Sequence, residues 1–209
     1  MSSYFSQALI SLLLVALSSQ DLHISEITSL TSSSSDQGVS VIPNTGGGYM
    51  LLCDWQEIGS RVFIASLNDQ GVIQTSSKAE ASLQAPYSEM IEHTANNFAI
   101  VSTYNDDIRI DTLDYSFIPE FIMLVHVGSS TTSKSIAYNS ATGEYAVVAT
   151  STPSNGLGGS DIVVARISDS ANTYTAGKVI GGAASGSTEN AFTITALTVN
   201  SGYIVTGTT

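Results

Sequence analysis

Four aspartates crowd one short stretch, YNDDIRIDTLDYS, at Asp106, Asp107, Asp111 and Asp114. Clustered carboxylate oxygens are what Ca2+ selects, and Asp106 and Asp107, adjacent in a loop, are the metal-ligand candidates. The spacing is not Asp-x-Asp-x-Asp-Gly, and no Glu follows at the distance of a bidentate ligand. Alternate residues of a strand point to opposite faces, so Asp111 and Asp114 do not share a site easily. The stretch therefore reads first as solvated loop charge. His23, His93 and His126 are far apart and lack a His-x-x-x-His spacing; each reads as a surface or strand-end residue. The lone Cys53 has no partner for an internal disulfide and sits in YMLLCDW, where it reads as a small buried hydrophobe. No Gly-x-Ser-x-Gly elbow occurs. SNGLGGSD is Gly-rich but precedes a strand, so it lacks the helix N-terminus that makes a phosphate loop work. No catalytic residue and no cofactor is expected.

The elements that must position these residues are short. From Gly38 onward, apolar runs alternate with Gly, Asn, Ser and Asp, with no sustained helical period, which is an all-β pattern. Four segments align on an aromatic: GGGYMLLCDW, ANNFAIVSTY, TGEYAVVATS and NSGYIVTGTT, anchored at Tyr49, Phe98, Tyr145 and Tyr203. GSRVFIASLND aligns without gaps on GSDIVVARISD, with DIRIDTLD as a weaker copy. A short strand precedes each aromatic (GVSVI, SEMIEHT, KSIAY, AFTITAL), and a fourth follows the third (GVIQTSS, EFIMLVHV, TYTAGKVI). Each unit is thus predicted to be four antiparallel strands. In the aromatic strand, Tyr49, Leu51 and Cys53 oppose Met50 and Leu52, and Tyr145 and Val147 oppose Ala146 and Val148. Both faces are apolar, so the strand is expected to be covered on both sides. Four-stranded units of this length, stacked face to face, are propeller blades.

The expected fold class is all-β, a partial β-propeller of about three and a half four-stranded antiparallel blades, with units at about 38–86, 87–132, 133–186 and 187–209. Gly158-Gly159-Ser160-Asp161, Gly181-Gly182 and Gly202-Tyr203-Ile204-Val205 with Gly207 resemble the Gly-Gly-Tyr-Ile-Val type of secreted β-propeller repeat found in large prokaryotic and protist surface proteins. The resemblance covers roughly residues 38–209. It implies a scaffold or binding surface rather than a reaction. Ser34 to Gly38, SSDQG, also matches the start of the Asp-box turn of sialidase-type propellers, without the aromatic that should follow. Tyr203 to Thr206 reads as the second strand of a fourth blade that lacks two strands. The expectation is a piece of a longer propeller, or self-association through an open propeller edge.

Composition narrows the partners. Six Lys and Arg stand against eighteen Asp and Glu, a net charge of -12. That excludes the cationic stripe that nucleic acid requires and disfavours anionic lipid. Charged residues are 11% of the chain, below the roughly 25% of an ordinary globular protein; Ser, Thr, Gly and Asn fill the difference. Residues 1–18 read as a cleaved signal peptide, with an apolar run from Ala8 to Leu17 that falls short of the ~20 residues of a membrane span. Residues 19–37 read as a Ser-rich lead-in. A secreted or extracellular-surface location, with no membrane association after cleavage, follows from that reading. Two function classes are weighed: a non-catalytic module for adhesion or for binding a protein or glycan ligand, and a secreted hydrolase, sialidase- or glycosidase-like, with a funnel active site. The Ser/Thr/Gly/Asn character of the loops favours the first.

Overall fold

The computed structural model describes residues 37–55, 61–79, 87–114, 116–117, 119–152, 159–169, 173–181, 188–197 and 202–208. The signal peptide, all of the lead-in but its last residue, and His23 lie outside them. Three four-stranded antiparallel meanders and one two-stranded ladder are formed. Blade 1 is β1 (Gln37–Pro43), β2 (Tyr49–Trp55), β3 (Arg61–Leu67) and β4 (Ile73–Ala79). Blade 2 is β5 (Tyr87–Thr94), β6 (Asn97–Tyr104), β7 (Asp107–Leu113) and β8 (Pro119–Val125). Blade 3 is β9 (Ser129–Asn139), β10 (Glu144–Thr152), β11 (Asp161–Ser168) and β12 (Thr173–Ile180). Blade 4 holds β13 (Asn190–Ala196) and β14 (Tyr203–Thr208). This is a partial β-propeller of three and a half blades, with strands where the alternation and turn residues place them.

The turns repeat along with the strands. Asn44 and Asn139 each open the first turn of a blade, their Oδ1 atoms accepting the N–H of Gly46 and Ala141. Asn68 and Asp114 do the same in the third-to-fourth-strand turn, accepting from Gln70 and Ser116. Asx side chains that bind the backbone two residues on favour turns in this way. Asn105 and Asp106 form a two-residue hairpin loop, both with positive φ (49° and 66°). That conformation matches the twist of the flanking strands and is best tolerated by Gly, Asn and Asp. Gly48 is required twice over: its φ is +75°, and a Cβ there would lie 2.0 Å from the Leu67 carbonyl oxygen.

The chain divides into two compact units, one ending at Gln84 and the other beginning at Ala85. In the first, Leu51, Cys53, Phe63, Ala65 and Leu67 form the core, with Tyr49 and Val41 against it. In the second, blades 2 and 3 stack through Ala99, Val101, Ile108 and Ile110 against Ile136, Tyr145, Val147 and Ile167. Blades 3 and 4 stack through Ala146, Val148 and Ile162 against Ala191 and Ile194. Strand β10 is therefore covered on both faces, and the predicted opposition of Tyr145 and Val147 to Ala146 and Val148 is observed. The rim strand β12 is exposed along its whole length.

A one-residue bulge recurs in the first strand of every blade. The ladder skips Val39 in β1, Ser88 in β5, Lys134 in β9 and Phe192 in β13. Beside it in blades 3 and 4, two backbone N–H groups reach the preceding blade. Ser133 donates to Thr103 Oγ1 (2.8 Å) and Ile136 to Glu89 Oε2 (2.7 Å), joining blade 3 to blade 2. Ala191 donates to Thr150 Oγ1 (3.0 Å) and Ile194 to Ser135 Oγ (3.1 Å), joining blade 4 to blade 3. Thr103 and Thr150 are equivalent positions, as are Glu89 and Ser135. A bulge frees backbone groups from the ladder and bends the strand; here it turns them into a latch between blades.

Candidate functional site

The acidic stretch does not assemble a metal centre. Asp106 is exposed in the two-residue hairpin loop, where its backbone conformation is the requirement. Asp107 opens β7 and lies 2.7 Å from His126 Nδ1, on the neighbouring strand's extension. Asp114 caps its own turn. The reading of solvated loop charge is corrected at Asp111, which has no exposed surface and holds Arg109, itself 5% exposed, through three contacts of 2.8–3.2 Å. Burial pushes the Asp111 carboxyl above its usual range despite that guanidinium. The two positions face one way because they are two residues apart on a strand. Among the described residues no group of three or more His, Cys, Asp or Glu side chains is placed to hold a metal ion.

Polar and aromatic side chains converge instead at one end of blade 3, around the β9–β10 turn. Tyr138 is the last residue but one of β9, Tyr145 is the second residue of β10 and Asp169 follows β11. His93 comes across from blade 2, at a second bulge in β5, where the ladder skips it. That extra residue, which alternation alone does not reveal, re-aims the imidazole between the two phenols. His93 packs 5.3 Å from the Tyr138 ring and 5.4 Å from Tyr145, whose rings are 5.0 Å apart. The Tyr145 hydroxyl and His93 Nδ1 are 3.0 Å apart, and the Tyr138 hydroxyl donates to Asp169 (3.4 Å). His93, near the end of β5 as expected, is thus a half-buried member of an aromatic cluster rather than a surface residue.

On the other face of the same sheet, Arg166 pairs with Glu144, and Thr175 donates to Glu144 Oε1 at 3.0 Å. Tyr203 from blade 4 donates to the Glu144 carbonyl (3.4 Å), and the Arg166 guanidinium lies 6.0 Å from its ring centre. Tyr174 stands on β12, 53% exposed.

Burial sets the acidity of the phenols here. Burial, reinforced by the Asp169 charge, drives Tyr145 far above the ordinary phenol range and raises Tyr138. Burial also raises Tyr203. All three stay neutral phenols at neutral pH, able to stack and hydrogen-bond but not to act as bases. Glu144 is held below its usual value chiefly by the Arg166 hydrogen bond. Its folded pKa is depressed, so its contribution to stability is present above the ordinary value of 4.5 and is lost as pH falls through the lowered one. Asp111 has the opposite sign: its contribution is full below 3.8 and is lost as pH rises through its raised value. Glu144→Gln is therefore expected to flatten the acid arm of a Tm–pH profile. An unchanged acid arm would show that the Glu144–Arg166 pair carries no such linkage.

No protein-family model matches the chain. No curated protein matches it. Among solved structures, a chimera of an apocarotenoid oxygenase and RPE65 is similar at 10% identity and a TM-score of 0.47, over 68% of this chain and 38% of that one. A mutant of the Synechocystis apocarotenoid oxygenase is similar at 12% identity and the same TM-score and coverage. The chain spans 38% of the length of each.

Proposed function

We propose that the chain is a non-catalytic, secreted or surface-borne β-propeller module that binds a protein or glycan ligand, in adhesion or a similar contact. The observation that carries this reading is the end of blade 3. Tyr138, Tyr174 and Tyr203 are all at least partly accessible there, while the charges beside them, Glu144, Arg166 and Asp169, are engaged with one another or with tyrosine hydroxyls. Tyrosine offers an apolar face and a polar tip at small entropic cost, which suits sugar rings and extended peptides alike. A glycosidase of the common two-carboxylate kind would need paired carboxyls with divergent acidities facing a common cleft. The low-charge composition and the resemblance to secreted repeats support the extracellular location.

Screening the purified chain on glycan and peptide arrays tests this. Binding is expected, and Tyr138→Ala or Tyr174→Ala is expected to weaken it by at least about tenfold, the cost of losing one aromatic anchor. Retention of full affinity by both variants would remove the site from this end of blade 3.

A further inference from the structure

Asp161, the first residue of β11, is wholly enclosed, and neither of its carboxylate oxygens finds a hydrogen-bond donor among the described residues. A carboxylate out of water needs donors or a counter-charge. The cations of the same unit are committed or face elsewhere: Arg109 is held by Asp111, Arg166 by Glu144, and Lys178 is the ladder partner of Val164, which packs toward blade 4. Asp161 stands on the opposite face, in line with Val163 and Ala165, toward blade 2. Its fit there is close. A Cβ at Gly181, just past the end of β12, would lie 2.0 Å from Asp161 Oδ1, so a side chain at 181 would displace the carboxylate.

The neighbours on that face are oxygens. Ser151 is the ladder partner of Asp161, which sets their Cβ atoms about 4.5–5.5 Å apart. Ser151 Oγ lies 2.9 Å from Thr131 Oγ1, and both residues are buried. The two hydroxyls also reach backbone carbonyls, Ser151 that of Ser129 (3.3 Å) and Thr131 that of Gly128 (3.5 Å). Each hydroxyl has a single proton to give, so lone pairs remain on both oxygens. We propose that this end of blade 3 binds a Ca2+ ion, with the Asp161 carboxylate as its one charged ligand and the Ser151 and Thr131 hydroxyls and a carbonyl of the Gly128–Ser129 turn as neutral ones. Such an all-oxygen set suits Ca2+ better than Mg2+, which demands a regular octahedron and keeps several waters. The ion would tie the ends of β9, β10 and β11 together. Its way in is short, because Ser129 and Ser130 are exposed and Ser160 and Gly181 half-buried. A single charged ligand makes the site weak, with a Kd of about 0.1–1 mM, as in extracellular modules.

Calorimetric titration of the chelator-treated chain with Ca2+, beside its thermal unfolding over the same concentrations, tests the proposal. Saturable binding and a Tm that rises with it are expected, with a smaller response to Mg2+. Asp161→Asn keeps the side-chain shape and removes the charge; it is expected to weaken Ca2+ binding by at least about tenfold, since affinity follows the number of ligand charges. Gly181→Ala, which displaces the same carboxylate without altering its charge, is expected to weaken it too. Asp106→Asn removes an equal charge from an exposed loop and is expected to leave the titration unchanged. A wild-type chain with no saturable response to Ca2+ would overturn the proposal. So would a response that Asp161→Asn and Asp106→Asn reduce alike, which would be diffuse screening of an acidic surface.

Discussion

Asp111→Ala is expected to destabilise the unit that contains blade 2 by about 3–5 kcal/mol, because it strands a buried guanidinium without its counter-charge. Arg109 and Asp111 are almost wholly enclosed and paired side-on along β7. The same two positions are Phe63 and Ala65 in blade 1 and Val163 and Ala165 in blade 3, as the alignment of the third strands shows. Blade 2 therefore holds an ion pair where its neighbours hold apolar side chains. Replacing both residues, Arg109→Val with Asp111→Ala, installs the pair that blade 3 already carries. That double variant is expected to unfold within about 1–2 kcal/mol of the wild type, or later than it, since buried ion pairs rarely outperform apolar packing. Urea unfolding of the single and double variants measures both. A double variant as damaged as Asp111→Ala alone would show that the pair is needed for more than its mutual compensation.

Glu89→Ala is expected to cost about 2–4 kcal/mol, the loss of two hydrogen bonds to one carboxylate. Glu89 Oε2 accepts both the Ser135 hydroxyl and the Ile136 N–H, and these two contacts bind blade 3 to blade 2 beside the bulge. The apolar contact between the blades remains after the substitution, so the effect is expected to localise. Amide exchange at Ile136 should accelerate more than exchange at Val148, which is buried on the other face of β10. Glu89→Gln keeps an acceptor oxygen and is expected to recover most of the stability. Equal losses for Gln and Ala would attribute the effect to charge rather than to the latch.

The strands and their grouping were legible in the residues because each depends on local information. Alternation, β-branched content and Asn or Gly at the turns are all visible along a single segment, and the two-sided burial of β10 follows from Ala146 and Val148 being as apolar as Tyr145 and Val147. What escaped needed register. A bulge adds one residue without altering composition, so neither the latch at Lys134 and Phe192 nor the re-aimed His93 is marked by periodicity. A faint sign exists at Lys134, a lone charge between Ser133 and Ser135, both buried. The Arg109–Asp111 pair was masked for a different reason. Alternating charge on a strand ordinarily marks a solvent face, and only the apolar residues at the same positions in GSRVFIASLND and GSDIVVARISD reveal that this face is buried. The aromatic cluster was half legible: Tyr145 was an anchor of the repeat, but its partners Tyr138, Asp169 and His93 come from three other strands or their ends.

The central claim is that this surface binds without turning over, its charges being engaged with one another and with tyrosine hydroxyls. Product analysis is the most direct test. A ligand that scores on the array is incubated with the purified chain for many hours, and its fate is read by mass spectrometry. The account predicts that the ligand is recovered intact and still bound at the end of blade 3. Cleaved product formed by the wild type, and abolished by Glu144→Gln or Asp169→Asn, would contradict it and restore the hydrolase reading.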